Sequence, residues 1–180
     1  MEIGKPAYSL NAATRQKRRG ALAIKMTCRI VHGDLLTQPV EAIINAWNRN
    51  LIPWWLLLPQ GISGAIKKKA GTKPFQELRQ VGLLPLGGAA TTSAGKLPYR
   101  GIIHVAGIGH TWTSSEASIR TSVRSALSEA QKHGFGSLAF PLIGAGTGGF
   151  KPDTVAEIIV DEIQKSDYQG DCLVVKYQKN

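Results

Sequence analysis

Four glycines crowd the seven residues Gly144-Ala-Gly-Thr-Gly-Gly-Phe150, directly after the apolar run Ser137–Ile143. Glycine admits positive φ and lets another molecule come close to the main chain. Successive amides at a strand-to-helix turn, next to the positive end of the helix, make a cradle for an anion, and a pyrophosphate is a natural guest. Two further spots stand near the other end of the chain. Gly33-Asp34-Leu35-Leu36 follows one apolar stretch, and Val40-Glu-Ala-Ile-Ile-Asn45-Ala-Trp-Asn48 forms the next. An aspartate just past a strand accepts a hydrogen bond from an exocyclic amine, and an asparagine offers donor and acceptor to a ribose hydroxyl. Taken singly, Asp34 and Asn48 also read as ordinary turn residues. The glycine loop alone also reads as a turn that needs glycine for its shape.

Literal motifs narrow the field. Gly144-x-Gly146-x-x-Gly149 satisfies the dinucleotide GxGxxG pattern, but with only 31 residues after Gly149 no doubly wound nucleotide domain is expected downstream. A Walker loop is excluded because no Gly-Lys-Ser/Thr follows. Cys28 and Cys172 lie far apart and form no CxxC, so neither a disulfide scaffold nor a redox motif is expected. The four histidines (His32, His104, His110 and His133) lack metal-ligand spacing, so no metal and no cofactor is expected.

The elements that must position these residues follow from periodicity. Strands are expected at Met26–His32, Val40–Ala46, Ala89–Ser93, Gly101–Ala106, Ser137–Ile143 and Cys172–Tyr177. Short helices are expected over Gly61–Ala70 and Pro74–Val81. A long one runs from about Ser115 to His133, capped by Ser114 or Ser115 and ended by Gly134, with Ile119, Val123, Ala126, Leu127 and Ala130 as its buried stripe. The last begins near Asp153, where Thr154 and Glu157 are spaced as a capping box and Val155, Ile158, Ile159 and Ile163 form the stripe. Alternating strands and helices predict an α/β fold, a three-layer α/β/α sandwich around a mixed, mostly parallel central sheet.

The net charge of +10 is unevenly spread. Residues 1–25 carry six basic side chains against Glu2, half of the whole excess. Residues 1–24 therefore read as a basic tail, solvated or able to touch nucleic acid weakly, ahead of one domain over 25–180. No apolar run reaches the about 20 residues of a membrane span; the longest is Leu51–Pro59. With no secretory signal pattern at the N-terminus, the expected location is cytoplasmic, with no membrane partner.

From about Met26 to Tyr177 the sequence resembles the macro-domain family, with six motifs in the family's order. These are Gly-Asp-Leu-Leu, Ile-Ile-Asn-Ala-Trp-Asn, Gly-Ile-Ser-Gly-Ala-Ile, Pro-Leu-Gly-Gly-Ala-Ala-Thr-Thr-Ser-Ala-Gly-Lys-Leu-Pro, Ile-Ile-His-Val-Ala-Gly with Trp112, and Phe-Pro-Leu-Ile-Gly-Ala-Gly-Thr-Gly-Gly-Phe. The resemblance implies a cleft at the strand ends for ADP-ribose or an ADP-ribosylated macromolecule. By position, Asp34 would take the adenine amine, Leu35 would line the base and Asn48 would contact the distal ribose. Gly61, Ile62 and Ser63 would lie beside the pyrophosphate and ribose. Gly144, Ala145, Gly146, Thr147, Gly148, Gly149 and Phe150 would wrap the diphosphate.

Two departures bear on catalysis. Hydrolytic members have a short glycine-rich loop after the asparagine, ending in an acid that orients water. Here that stretch is the apolar insertion Leu51-Ile-Pro-Trp54-Trp55-Leu-Leu-Leu-Pro-Gln, and Ser63 stands at the acid's position. Serine is no carboxylate base at neutral pH. Gly148 stands where many relatives place an aromatic residue. Asn48 and Ser63 remain the catalytic candidates. Three readings stay open: a hydrolase acting on ADP-ribosyl, O-acetyl-ADP-ribose or ADP-ribose-1''-phosphate bonds, a non-catalytic ADP-ribose reader, and an RNA- or polyanion-binding module. The Trp54–Trp55 insertion reads as core, or as a hydrophobic lid or partner surface next to the cleft, His104 as structural, and His110 as unplaced.

Overall fold

The structure, a computed structural model, describes residues 27–48, 61–108, 113–146 and 149–178. The basic tail, the Trp54–Trp55 insertion, His110, Trp112, Thr147 and Gly148 lie outside the described residues. The strands are β1 (Cys28–Gly33), β2 (Ala42–Asn48), β3 (Ala89–Thr92), β4 (Gly101–Ile108), β5 (Ser137–Pro141) and β6 (Asp171–Tyr177). The helices are α1 (Gly61–Ala70), α2 (Lys73–Val81), α3 (Glu116–His133) and α4 (Pro152–Gln164).

These strands form one sheet in the order β1-β6-β5-β2-β4-β3, parallel throughout except for β3 against β4. Because strand side chains alternate between faces, β2 serves two cores. Ala42 and Ile44 pack with the α3 and α4 stripes, while Ile43 packs with Ile66 of α1 and Phe75 of α2. The expected three-layer α/β/α sandwich around a mostly parallel sheet is the observed architecture. No helix among the described residues is long and apolar enough to cross a membrane.

The long helix is capped as its sequence predicts. Ser115 Oγ accepts the Ser118 amide and Ser118 Oγ accepts the Ser115 amide, both at 3.0 Å. At the other end Gly134 takes the left-handed conformation, φ 64°. Ser115→Ala is expected to lower stability by about 1 kcal/mol, a fall of about 2–4 °C in the melting temperature, measured by circular dichroism.

Two local readings are corrected. The Thr154–Glu157 capping box does not form: α4 starts at Pro152, with Lys151 as an N-cap making no side-chain bond. Proline lacks an amide hydrogen and already has helical φ, so it starts the helix and places Thr154 inside it. The fifth strand stops at Pro141 rather than Ile143, because the Ile143 amide turns back to the Pro141 carbonyl at 2.9 Å. The two cysteines, remote in sequence, are register partners across β1 and β6, and both are free thiols.

Candidate functional site

All five parallel strands end on one edge of the sheet. Adjacent β2 and β5 send the chain to opposite faces there: β2 leads to α1, while β5 leads to α4. Loops that diverge in this way leave a crevice, the usual ligand position of an open parallel sheet. Asp34, Asn48, Gly61–Ser63 and the glycine loop all follow or close strands, or begin helices, at this edge. An open cavity of about 340 Å³, lined by Leu36, Val40, Glu41, Tyr99 and Ser137 among others, lies toward the amino ends of β2 and β5 instead.

Asp34 is held by its own turn. Oδ1 accepts the Leu36 amide at 2.9 Å and Oδ2 pairs with Lys69 Nζ at 3.1 Å. Partial burial pushes the carboxyl up, but the Leu36 amide and the Lys69 ammonium outweigh it and hold it below the usual aspartate value. It is therefore an ionised acceptor with its orientation fixed. Leu35, 3% exposed, is packed beneath the turn with Ile66 and Phe75. The turn therefore presents the Asp34 carboxylate and main chain at the strand end, with the leucine as its anchor.

Asn48 closes β2 opposite Ile108, across a register shift between Trp47 and Asn48. The first turn of α1 contains Gly61, Ile62 and Ser63 and carries no acid. Ser63 is buried, and its hydroxyl lies 2.7 Å from Asn45 Oδ1 and 3.1 Å from the Ala46 carbonyl. The serine thus ties the amino end of α1 to β2.

Behind it runs a closed chain of polar side chains. Asn45 Nδ2 lies 2.9 Å from His104 Nδ1, and His104 Nε2 lies 2.8 Å from Thr92 Oγ1, which donates to the Ser93 carbonyl at 3.0 Å. Because Asn45 Nδ2 can only donate, His104 Nδ1 accepts and Nε2 carries the proton. His104 is fully buried, and desolvation lowers its pKa to about 3, so the ring is neutral. The residue is structural, as the sequence reading has it. The supporting residues Asn45 and Lys69 are not among the site residues that the sequence points to. A polar Asn45 in an apolar strand was a usable signal; nothing in the sequence ties Lys69 to Asp34.

The glycine loop is pinned at its base, and among its described residues Gly146 stands open. Gly144 has φ 87° and Gly149 φ 81°, values that favour glycine. A Cβ on Gly144 would lie 2.7 Å from Ser114 Oγ and 2.9 Å from Ser114 Cβ, whereas one on Gly146 would meet no described atom within 4 Å. The Phe150 amide returns to the Gly144 carbonyl at 3.2 Å, closing the loop immediately before α4. Helix amino ends carry partial positive charge and unpaired amides. Those of α1 and α4 both lie at this edge, the first against β2 and the second directly after the loop, which suits a diphosphate.

The family model for the Macro domain matches residues 44–159. An O-acetyl-ADP-ribose deacetylase of Citrobacter rodentium is 33% identical over 144 residues, covering 76% of this chain and 77% of its own. The Oceanobacillus iheyensis macrodomain with ADP superposes with a TM-score of 0.69 at 30% identity, covering 83% of each chain. A mutant of the same macrodomain with ADPR gives a TM-score of 0.69 at 28% identity, covering 86% of this chain and 88% of that one. The matched region, the shared sheet and helices, and relatives at this identity and coverage lead to one assignment: the chain belongs to the macro domain family.

Proposed function

We propose that this chain binds ADP-ribose, or a macromolecule carrying it, in the crevice between the β2 and β5 ends. The observation that carries this reading is the convergence on one sheet edge of an oriented acceptor, a glycine loop and the amino ends of α1 and α4. Asp34 accepts the adenine amine, on a turn anchored by the buried Leu35. Asn48 contacts the distal ribose, Gly61, Ile62 and Ser63 flank the pyrophosphate and ribose, and Gly144–Phe150 wrap the diphosphate. A cytoplasmic setting is in keeping with two free thiols.

Deacetylation of O-acetyl-ADP-ribose is the second reading, favoured by the name of the Citrobacter rodentium relative. Ser63 does not supply the base: it is a neutral hydroxyl occupied with Asn45 and Ala46, and the first turn of α1 holds no acid. The attacking water is then held by Asn48 and by oxygens of the substrate itself, with the clamped diphosphate providing position. Chromatography of O-acetyl-ADP-ribose after incubation tests this. Deacetylation lost in Asn48→Ala, with ADP-ribose binding kept, supports the enzyme. Binding without turnover in the unaltered chain identifies a reader instead.

A further inference from the structure

Charge is segregated between the two helical layers. Residues 61–100, which include α1 and α2, carry seven cations against Glu77 alone, whereas residues 113–171, which include α3 and α4, carry five cations against eight acids. The acids of the second layer are largely consumed locally: Asp161 and Glu162 of α4 bind Arg120 and Arg124 of α3. In the first layer Glu77 is turned inward, accepting the Ser93 amide at 2.7 Å and the Ser93 hydroxyl at 2.8 Å.

The cations gather at the α1–α2 corner. Lys67, Lys68 and Lys69 form the last turn of α1, a position where cations complement the helix dipole. That explanation fails for the two lysines beside them. Lys73 opens α2, where the dipole opposes a cation, and α2 has neither an acid in its first turn nor a side-chain cap. Lys96 reaches the same corner from the β3–β4 connection: its amide donates to the Ala70 carbonyl at 2.9 Å, and its Cε lies 3.9 Å from the position of a Cβ on Gly71. Lys68, Lys73 and Lys96 are all exposed. Through the Lys69–Asp34 pair the corner adjoins the end of the crevice assigned to adenine.

We infer that the α1–α2 corner docks the phosphate backbone of a nucleic-acid strand, through Lys68, Lys73 and Lys96. The inference rests on the ADP-ribose reading, since a surface continuous with a nucleotide pocket suits further phosphates. Lysines act on such a strand as point charges. Contacts to phosphate alone fix register without reading sequence, so binding is sequence-independent and salt-dependent.

Fluorescence anisotropy of a labelled oligouridylate, with the full-length chain in about 50–200 mM salt, tests the corner. The triple variant K68Q/K73Q/K96Q is expected to bind at least about tenfold more weakly, with a slope of log affinity against log salt shallower by about 2. Its thermal response to ADP-ribose is expected to stay unchanged. Equal oligonucleotide binding by the triple variant overturns the inference. So does loss of all binding when only Arg15, Lys17, Arg18 and Arg19 are changed to Gln in the full chain. Displacement of the oligonucleotide by polyglutamate at equal charge concentration also overturns it, pointing to an acidic protein. Failure of the ADP-ribose reading shows separately, as no thermal response to ADP-ribose in either protein.

Discussion

A Gly144→Ala variant loses ADP-ribose binding and melts about 4–15 °C below the unaltered chain, a loss of roughly 2–4 kcal/mol. Two independent costs combine. The residue sits at φ 87°, in the left-handed region that disfavours a side chain. The new methyl would also stand 2.7 Å from Ser114 Oγ and 2.9 Å from its Cβ. Ser114 has little room to withdraw, because its hydroxyl donates to the Gly107 carbonyl at 3.1 Å. Relief therefore comes from moving the loop, and with it the main chain that faces the diphosphate. Gly146→Ala provides the contrast, since no described atom lies within 4 Å of its added methyl. Its melting temperature is expected to stay within about 2 °C of the unaltered chain, while ADP-ribose affinity falls about tenfold as the methyl enters the approach path. Differential scanning fluorimetry with and without ligand reads both effects. Unchanged affinity in Gly146→Ala would mean that this part of the loop needs glycine for shape alone.

The second large effect concerns pH. His104 is neutral in the fold, with a pKa lowered to about 3 by burial, while the unfolded chain titrates near the ordinary value of 6.5. The folded pKa is depressed, so the stabilisation is complete above about pH 6.5 and is lost as the pH falls toward about 3. Between those values the unfolded chain binds a proton that the folded chain does not. The unfolding free energy is then expected to drop by about 1.4 kcal/mol per pH unit, or about 2 kcal/mol between pH 7 and pH 5. The carboxyls held low by their partners, such as Asp34 and Glu41, act only at lower pH, since their ordinary values are 3.8 and 4.5. Urea unfolding at pH 7.5, 6 and 5 isolates the histidine. His104→Phe leaves Asn45 and Thr92 without their ring partner, which costs roughly 2–4 kcal/mol at pH 7.5. It also removes the slope between pH 6.5 and 5. A variant that retains the full slope would assign the titration elsewhere.

Part of this fold and site is legible in the sequence alone. The buried stripes of α3 and α4 were legible because a helix repeats every 3.6 residues and each stripe lies within one element. The glycine loop and Asp34 were legible as strand-end residues because turn chemistry is local. What could not be read was set by the sheet's order. Cys28 faces Cys172 only because β1 and β6 are neighbours, and Lys69 reaches Asp34 only because α1 packs over the turn after β1. Ser63 stands out in the sequence by its place in a motif, but its bond to Asn45 exists only because α1 packs against β2. The capping-box reading failed for a local reason: the helix started one residue before the expected position, at a proline.

Calorimetric titration of ADP-ribose into the unaltered chain and into Asp34→Ala tests the central claim most directly. The expected result is saturable one-to-one binding to the unaltered chain. Affinity is expected to fall at least about tenfold in the variant, the scale of one charge-assisted hydrogen bond lost from the adenine amine. Equal affinity in the two proteins would contradict the placement of adenine at Asp34, and no binding to either would contradict the proposed function itself.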